Sequence, residues 1–92
     1  MAKIIKQYLL SEGTNKLPYG KVLLIGHKDK KSFPSIWIEH DIEDERTVIY
    51  KVIGNQKEDS DDINYPYHIG SCVCGFYVWH VYANAFFYEG FV

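Results

Sequence analysis

The sequence predicts a mainly β domain: a small antiparallel sheet or barrel-like fold of about six strands with little helix. Three observations predict it. Short runs rich in β-branched and aromatic residues alternate with clusters of Gly, Pro, Asn, Asp and Ser. Within several runs, apolar and polar side chains alternate with a period of two, as in a half-buried strand. No apolar pattern at helical spacing lasts beyond about two turns.

Lys3 to Leu10 reads as the first strand. Ser11 to Gly20 reads as a loop closed by Leu17-Pro18-Tyr19-Gly20, where the proline pre-sets a turn that the glycine finishes. Lys21 to Lys28 is the second strand, and its unbroken Val22-Leu23-Leu24-Ile25 predicts burial on both faces. Asp29 to Pro34 turns the chain into a third strand, Ser35 to Asp41. Here Ile36, Ile38 and His40 share one face and Trp37 and Glu39 the other. Ile42 to Arg46 makes a tight connection. Thr47 to Ile53 then sets Val48, Tyr50 and Val52 against Ile49, Lys51 and Ile53. The polar stretch Gly54 to Pro66 gathers Glu58, Asp59, Asp61 and Asp62, which would repel each other in a strand, so it reads as a loop or at most a helical turn. Tyr67 to Cys74 and Phe76 to Tyr82 pair as a hairpin around Gly75.

Ninety-two residues fit one core, so residues 1–83 read as a single β domain and 84–92 as an aromatic C-terminal tail. Hydrophobic residues make 47% and charged residues 24% of the chain, as in ordinary globular proteins. The 16% aromatic share is higher than one sheet face can hide, which points to a second buried surface, a ligand site or a subunit contact. Phe86, Phe87, Tyr88 and Phe91 crowd the tail. Each is worth roughly 2–3 kcal/mol when buried, so the tail either folds back on its own sheet or packs on a neighbouring subunit, the second being favoured because the strands before it already supply a core.

Charge and cysteine content narrow the partners. Residues 1–31 carry seven lysines against Glu12 and Asp29, a net of +5; residues 32–92 carry Arg46, Lys51 and Lys57 against ten acids, a net of −7. The chain as a whole is not basic, so duplex nucleic acid is not expected as a partner. The lysines of the first third suit either a small anion or the solubility of strand edges. No apolar run approaches ~18 residues, and the start has no secretory pattern, so neither a membrane nor export is expected. Cys72 and Cys74, two apart on one strand, read as reduced thiols in a cytosol.

Catalytic and metal signals are weak. His27, His40, His68 and His80 with Cys72 and Cys74 include zinc-ligand types, but their spacing matches no closed motif. His40 and His80 read as histidines hydrogen-bonded within the core. Ser71 lies in Gly70-Ser71-Cys72, which is not a nucleophile elbow, and the acids cluster in a polar loop, where catalysis gains little. No metal, cofactor or catalytic set is therefore expected, and the chain reads as a binder rather than an enzyme. Trp37, Tyr77 and Trp79 offer flat rings, and base stacking on such rings is worth ~1–3 kcal/mol each. Lys21, His27, Lys28 and Arg46 suit phosphates, and Asn55 and Gln56 suit base edges. This set serves a nucleotide and equally an ordinary protein surface.

An ordered series of segments resembles a family of short tailed-bacteriophage proteins. Ile5-Lys6-Gln7-Tyr8-Leu9 is similar to its opening strand, and Leu17-Pro18-Tyr19-Gly20-Lys21-Val22-Leu23 to its turn into the next. Ile36-Trp37-Ile38, Tyr50-Lys51-Val52-Ile53-Gly54, Tyr67-His68-Ile69-Gly70-Ser71 and Val78-Trp79-His80-Val81-Tyr82 follow in order, covering roughly residues 3–82. The chain departs from the family after Gly54, where a second glycine and a histidine give way to Asn55-Gln56-Lys57, so a role for that histidine does not carry over. The family commonly ends near His80-Val81, which marks the aromatic tail as an addition and an oligomer contact. The chain also resembles anti-CBASS sponges. That resemblance implies a homo-oligomer, dimer or tetramer, acting in immune evasion in the host bacterial cytoplasm. It would sequester a cyclic dinucleotide such as cyclic GMP-AMP without cleaving it, and so block CBASS effector activation. The alternative is a protein-binding inhibitor or a structural accessory phage protein.

Overall fold

A computed structural model describes residues 2–26, 33–54, 64–74 and 77–85, with the side chain of Cys74 left out. Every regular element among them is a strand: β1 (Lys3–Leu9), β2 (Gly13–Pro18), β3 (Lys21–Gly26), β4 (Ser35–Asp41), β5 (Thr47–Gly54), β6 (Tyr67–Cys74) and β7 (Tyr77–Ala83). They form two antiparallel sheets, one ordered β1-β4-β3 and the other β2-β5-β7-β6. The mainly β, small antiparallel fold expected from the sequence is what the chain adopts.

The two sheets pack through the faces that the period-two pattern marked. Ile36 and Ile38 of β4 meet Val48, Tyr50 and Val52 of β5 and Trp79, Val81 and Ala83 of β7 in one buried cluster, closed by Leu10. Burial of that ring pushes the Tyr50 hydroxyl up to about 12. His40, next on the inward face of β4, is also buried, and its Nε2 lies 2.8 Å from the Tyr8 hydroxyl. A Cβ on Gly70 would sit 3.0 Å from Ile25 Cδ1, so this glycine lets β6 approach β3 across the sandwich.

The chain crosses between sheets after β1, β2 and β4, and each crossing is tied down. Leu10 N–H donates to the Pro34 carbonyl and Tyr19 N–H to the Arg46 carbonyl. Between β1 and β2, the Asn15 side chain accepts from Ser11 N–H at 2.9 Å and donates back to the Ser11 carbonyl. The same bend needs Gly13, whose φ of 97° is left-handed backbone.

Three details differ from the sequence reading. Gly13–Pro18 is a strand within the stretch read as a loop. Its Gly, Asn and Pro argue against a central strand, but β2 is an edge paired only with β5, where proline is tolerated. Burial of β3 on both faces does not occur: Leu23 and Leu24 are exposed, and among the described residues no layer covers the outer side of the smaller sheet. The seven strands also exceed the count of about six by that same β2.

All four sheet edges carry features that oppose edge-to-edge pairing. On β1, Lys6 shares the face of Tyr8 and sits 5.6 Å from its ring centroid. β2 ends on Pro18. β3 shifts register between Val22 and Leu24, and β6 between His68 and Gly70.

Candidate functional site

Two arrangements of side chains stand out, one at an end of the sandwich and one on the outer face of the larger sheet. The first is aromatic. Tyr77 and Trp79 alternate along β7 and stack, with centroids 5.2 Å apart and ring planes 16° from parallel. Phe33, arriving from the β3–β4 connection, tilts against Trp79 at 5.1 Å. Gly54 ends β5 directly opposite Trp79, and a Cβ there would reach 3.4 Å from the Tyr77 ring. Trp79 is 9% exposed and belongs to the core, whereas Tyr77 is 51% exposed. The ring available to a ligand is therefore Tyr77, and Trp79 supports it from beneath.

The second arrangement is polar. On the outward side of β6 and β7, Ser71 Oγ lies 2.7 Å from His80 Nδ1 and 3.1 Å from His68 Nε2. Ser71 faces His80 and His68 faces Tyr82 in the β6–β7 ladder, and Lys51 of β5 faces Tyr82 from the other side. The His68 and Tyr82 rings meet at 5.1 Å, and Lys51 Nζ lies 5.6 Å from the Tyr65 ring centroid. Ser71 and His68 are exposed and His80 is half-buried, while Ile53, opposite His80 on β5, is buried. His80 is thus not the core histidine expected from its apolar neighbours. Those neighbours, Trp79 and Val81, point inward, and the alternation of the strand turns His80 out. His40 does take the core role expected of it.

The remaining sequence-derived positions are scattered. Trp37 lies half-buried on the outer face of the smaller sheet, alongside Gly26, and does not join Trp79. Lys21 starts β3 opposite Glu39. Arg46 is bound to Asp44, through Nη2 at 2.6 Å and Nε at 3.0 Å, and covers the Tyr19 ring at 4.3 Å. That hydrogen bonding holds the Asp44 carboxyl down at about 2. Arg46 is therefore not poised as a bidentate phosphate clamp. His27, Lys28, Asn55 and Gln56 lie outside the described residues. His27 and Lys28 follow Gly26 in the chain, and Asn55 and Gln56 follow Gly54. Most of the tail, 86–92, also lies outside them. Asn84 is described: its N–H donates to the Ile49 carbonyl, and its side-chain oxygen accepts from Ile49 N–H.

Sequence reasoning missed the Ser71 cluster for a specific reason. His68 and Ser71 are three apart, a spacing that puts them on opposite faces of a regular strand. The register shift between His68 and Gly70 adds a residue and brings both outward. Phe33 was missed because nothing in Ser32-Phe33-Pro34 distinguishes a rim aromatic from a turn residue.

Cys72 is a buried thiol opposite Trp79. Among the described residues, no group of three or more His, Cys, Asp or Glu converges, and no helix is long and apolar enough to cross a membrane. No family model, curated protein or solved structure matches the chain.

Proposed function

We propose that the protein is a non-enzymatic binding module that captures a cyclic dinucleotide of the cyclic GMP-AMP kind and holds it uncleaved. In this reading it acts in the host bacterial cytoplasm, as a homo-oligomer, and withholds the signal from a CBASS effector. The observation that supports it is the half-exposed Tyr77 ring backed by Trp79 and flanked by Phe33. A purine stacks on such a ring without sequence-specific contacts, worth ~1–3 kcal/mol per base. The β3–β4 and β5–β6 connections leave the sheets at this end of the sandwich, and they carry His27, Lys28, Asn55 and Gln56 in the sequence. The ordered resemblance to the phage family supplies the biological setting.

The test is to load purified protein with cyclic GMP-AMP, remove free ligand, heat, and analyse what is released. Intact ligand is expected, and a linear product would move the protein to the hydrolases. Tyr77→Ala should weaken binding by roughly 5- to 150-fold, the loss of one stacked base, with little change in melting temperature. Unaltered affinity in that variant would refute the site.

A second reading has its own observation. On the outer face of β1, β4 and β3, Ile5 is 60%, Leu9 68% and Leu24 58% exposed, around Trp37. Such a patch fits a protein-binding inhibitor or structural accessory. A single stoichiometric host protein retained from lysate, together with no thermal shift from any cyclic dinucleotide, would favour this reading over the first.

A further inference from the structure

We propose that Ser71, on the outer face of the larger sheet, is an activated nucleophile that takes the acyl group of an activated ester, with His80 as its general base. Ser71 Oγ has one proton and two neighbouring ring nitrogens, His80 Nδ1 at 2.7 Å and His68 Nε2 at 3.1 Å. The hydroxyl therefore donates to one imidazole and accepts an N–H from the other. The shorter contact suits an O–H donor and the longer one an N–H donor, so the proton points at His80. A hydroxyl oxygen has two lone pairs, and His68 occupies one, which leaves the other for attack.

These mutual hydrogen bonds are what activation requires. A serine is a weak nucleophile until a base within hydrogen-bond reach takes its proton. The His68 N–H holds Oγ in place and stabilises the negative charge that develops on it. The β6 bulge brings His68 to the side of Ser71, and the Tyr82 ring packs against that imidazole at 5.1 Å. Ser71 is exposed to an incoming reagent, and His80 is half-buried directly across the ladder.

In the step, Oγ bonds to the acyl carbon and the bond from that carbon to the leaving oxygen or sulfur breaks. The Oγ proton passes to His80 Nδ1 and on to the leaving group, giving an acyl-serine and a free phenol or thiol. Aryl esters and thioesters fit, because their leaving groups depart as stable anions without help from a further acid. The inference does not rest on the nucleotide reading: Tyr77 alternates to the other face of β7, and a cyclic dinucleotide carries no acyl group.

The experiment treats the protein with p-nitrophenyl acetate, follows nitrophenol release and maps acetylated residues by mass spectrometry. Ser11 is the internal control. It is equally exposed, but its Oγ donates at 3.1 Å to Asn15 Oδ1, an amide oxygen that cannot take the proton. Acetyl is expected on Ser71 and not on Ser11, and Ser71→Ala should abolish the specific release. Per folded molecule, His80→Asn should slow acetylation of Ser71 about 100-fold, the lower end of what a positioned base contributes. His68→Gln, whose amide N–H replaces the imidazole donor, should keep most of the rate. Acetylation of Ser71 no faster than that of Ser11, an unchanged rate in His80→Asn, or an acetyl group carried by His80 in place of Ser71 would each overturn the proposal.

Discussion

The two outer faces of this sandwich are built on the same inner pattern and differ in the polar groups they carry. Outside the smaller sheet, Ile5, Leu9, Leu24 and Trp37 spread apolar surface, bordered by Lys3 opposite Asp41 and Lys21 opposite Glu39. Outside the larger sheet, imidazoles, hydroxyls and lysines gather without a carboxylate on any of its strands. The buried cluster between the sheets is built of Ile, Val, Tyr, Trp, Leu and Ala, and it states only that the sheets pack. The outward residues are not constrained by that core, so their departure from an ordinary mixed surface carries the functional information.

Substitutions separate the shared core from the differing faces, and their effects should fall in a definite order. The largest belongs to the core: Trp79→Ala should cost about 3–5 kcal/mol, read by denaturant unfolding. That places Trp79 with the scaffold of the Tyr77 site rather than with its contact surface. Gly20→Ala should come next, at about 1–3 kcal/mol. A Cβ there meets the Glu39 carbonyl, and lies 2.7 Å from His40 Cβ and 2.8 Å from Ile38 Cγ2, so β4 must shift. A loss below a few tenths of a kcal/mol would mean that the Tyr19-Gly20 crossing is looser than described.

Alkaline titration probes the core without a mutation. Tyr50 has its folded pKa raised to about 12 by burial, from an ordinary value of 10.0. Below pH 10 both folded and unfolded chains hold the proton, so this contribution to stability is complete. Between about 10 and 12 the unfolded chain ionises first, and stability falls. Tyr50→Phe should flatten that part of the pH–stability curve.

Face substitutions should be nearly silent in unfolding and loud in association. Leu24→Lys or Ile5→Lys should move monomer stability by no more than about 0.5 kcal/mol. They should abolish any self- or partner association that uses the smaller sheet, as read by sedimentation velocity. Unchanged association would remove the apolar face from consideration. The smallest effect belongs to the Asp44–Arg46 pair. The Asp44 carboxyl, held at about 2 rather than 3.8 by its hydrogen bonds to Arg46, contributes stability above pH 4 that is lost as pH falls towards 2. The pair lies at the surface, with Arg46 exposed and Asp44 half-buried, so Asp44→Asn should alter only the acid limb of the curve, and slightly.

Much of the fold was legible from alternation. β4 and β5 could be assigned strand, face and core residues because Ile36/Ile38 and Val48/Tyr50/Val52 recur with period two. β2 was not legible, since an edge strand tolerates Gly13, Asn15 and Pro18 that a central strand would reject. The candidate sites were legible in composition and not in grouping. Tyr77 and Trp79 were found as rings, but Trp37 was placed with them although it lies on another face, and Arg46 was offered to a ligand although Asp44 already holds it.

The sequence by itself determined that this chain folds as strands and which faces of β4 and β5 turn inward. These follow from side-chain period and composition, which are local. Only the tertiary structure decided that Trp79 supports while Tyr77 is offered, and that His80 and His68 meet across Ser71. It also decided that one outer face is apolar and the other free of acids along its strands. Those outcomes depend on which strands become neighbours and on a one-residue bulge in β6, and long-range pairing of this kind leaves no trace in local spacing.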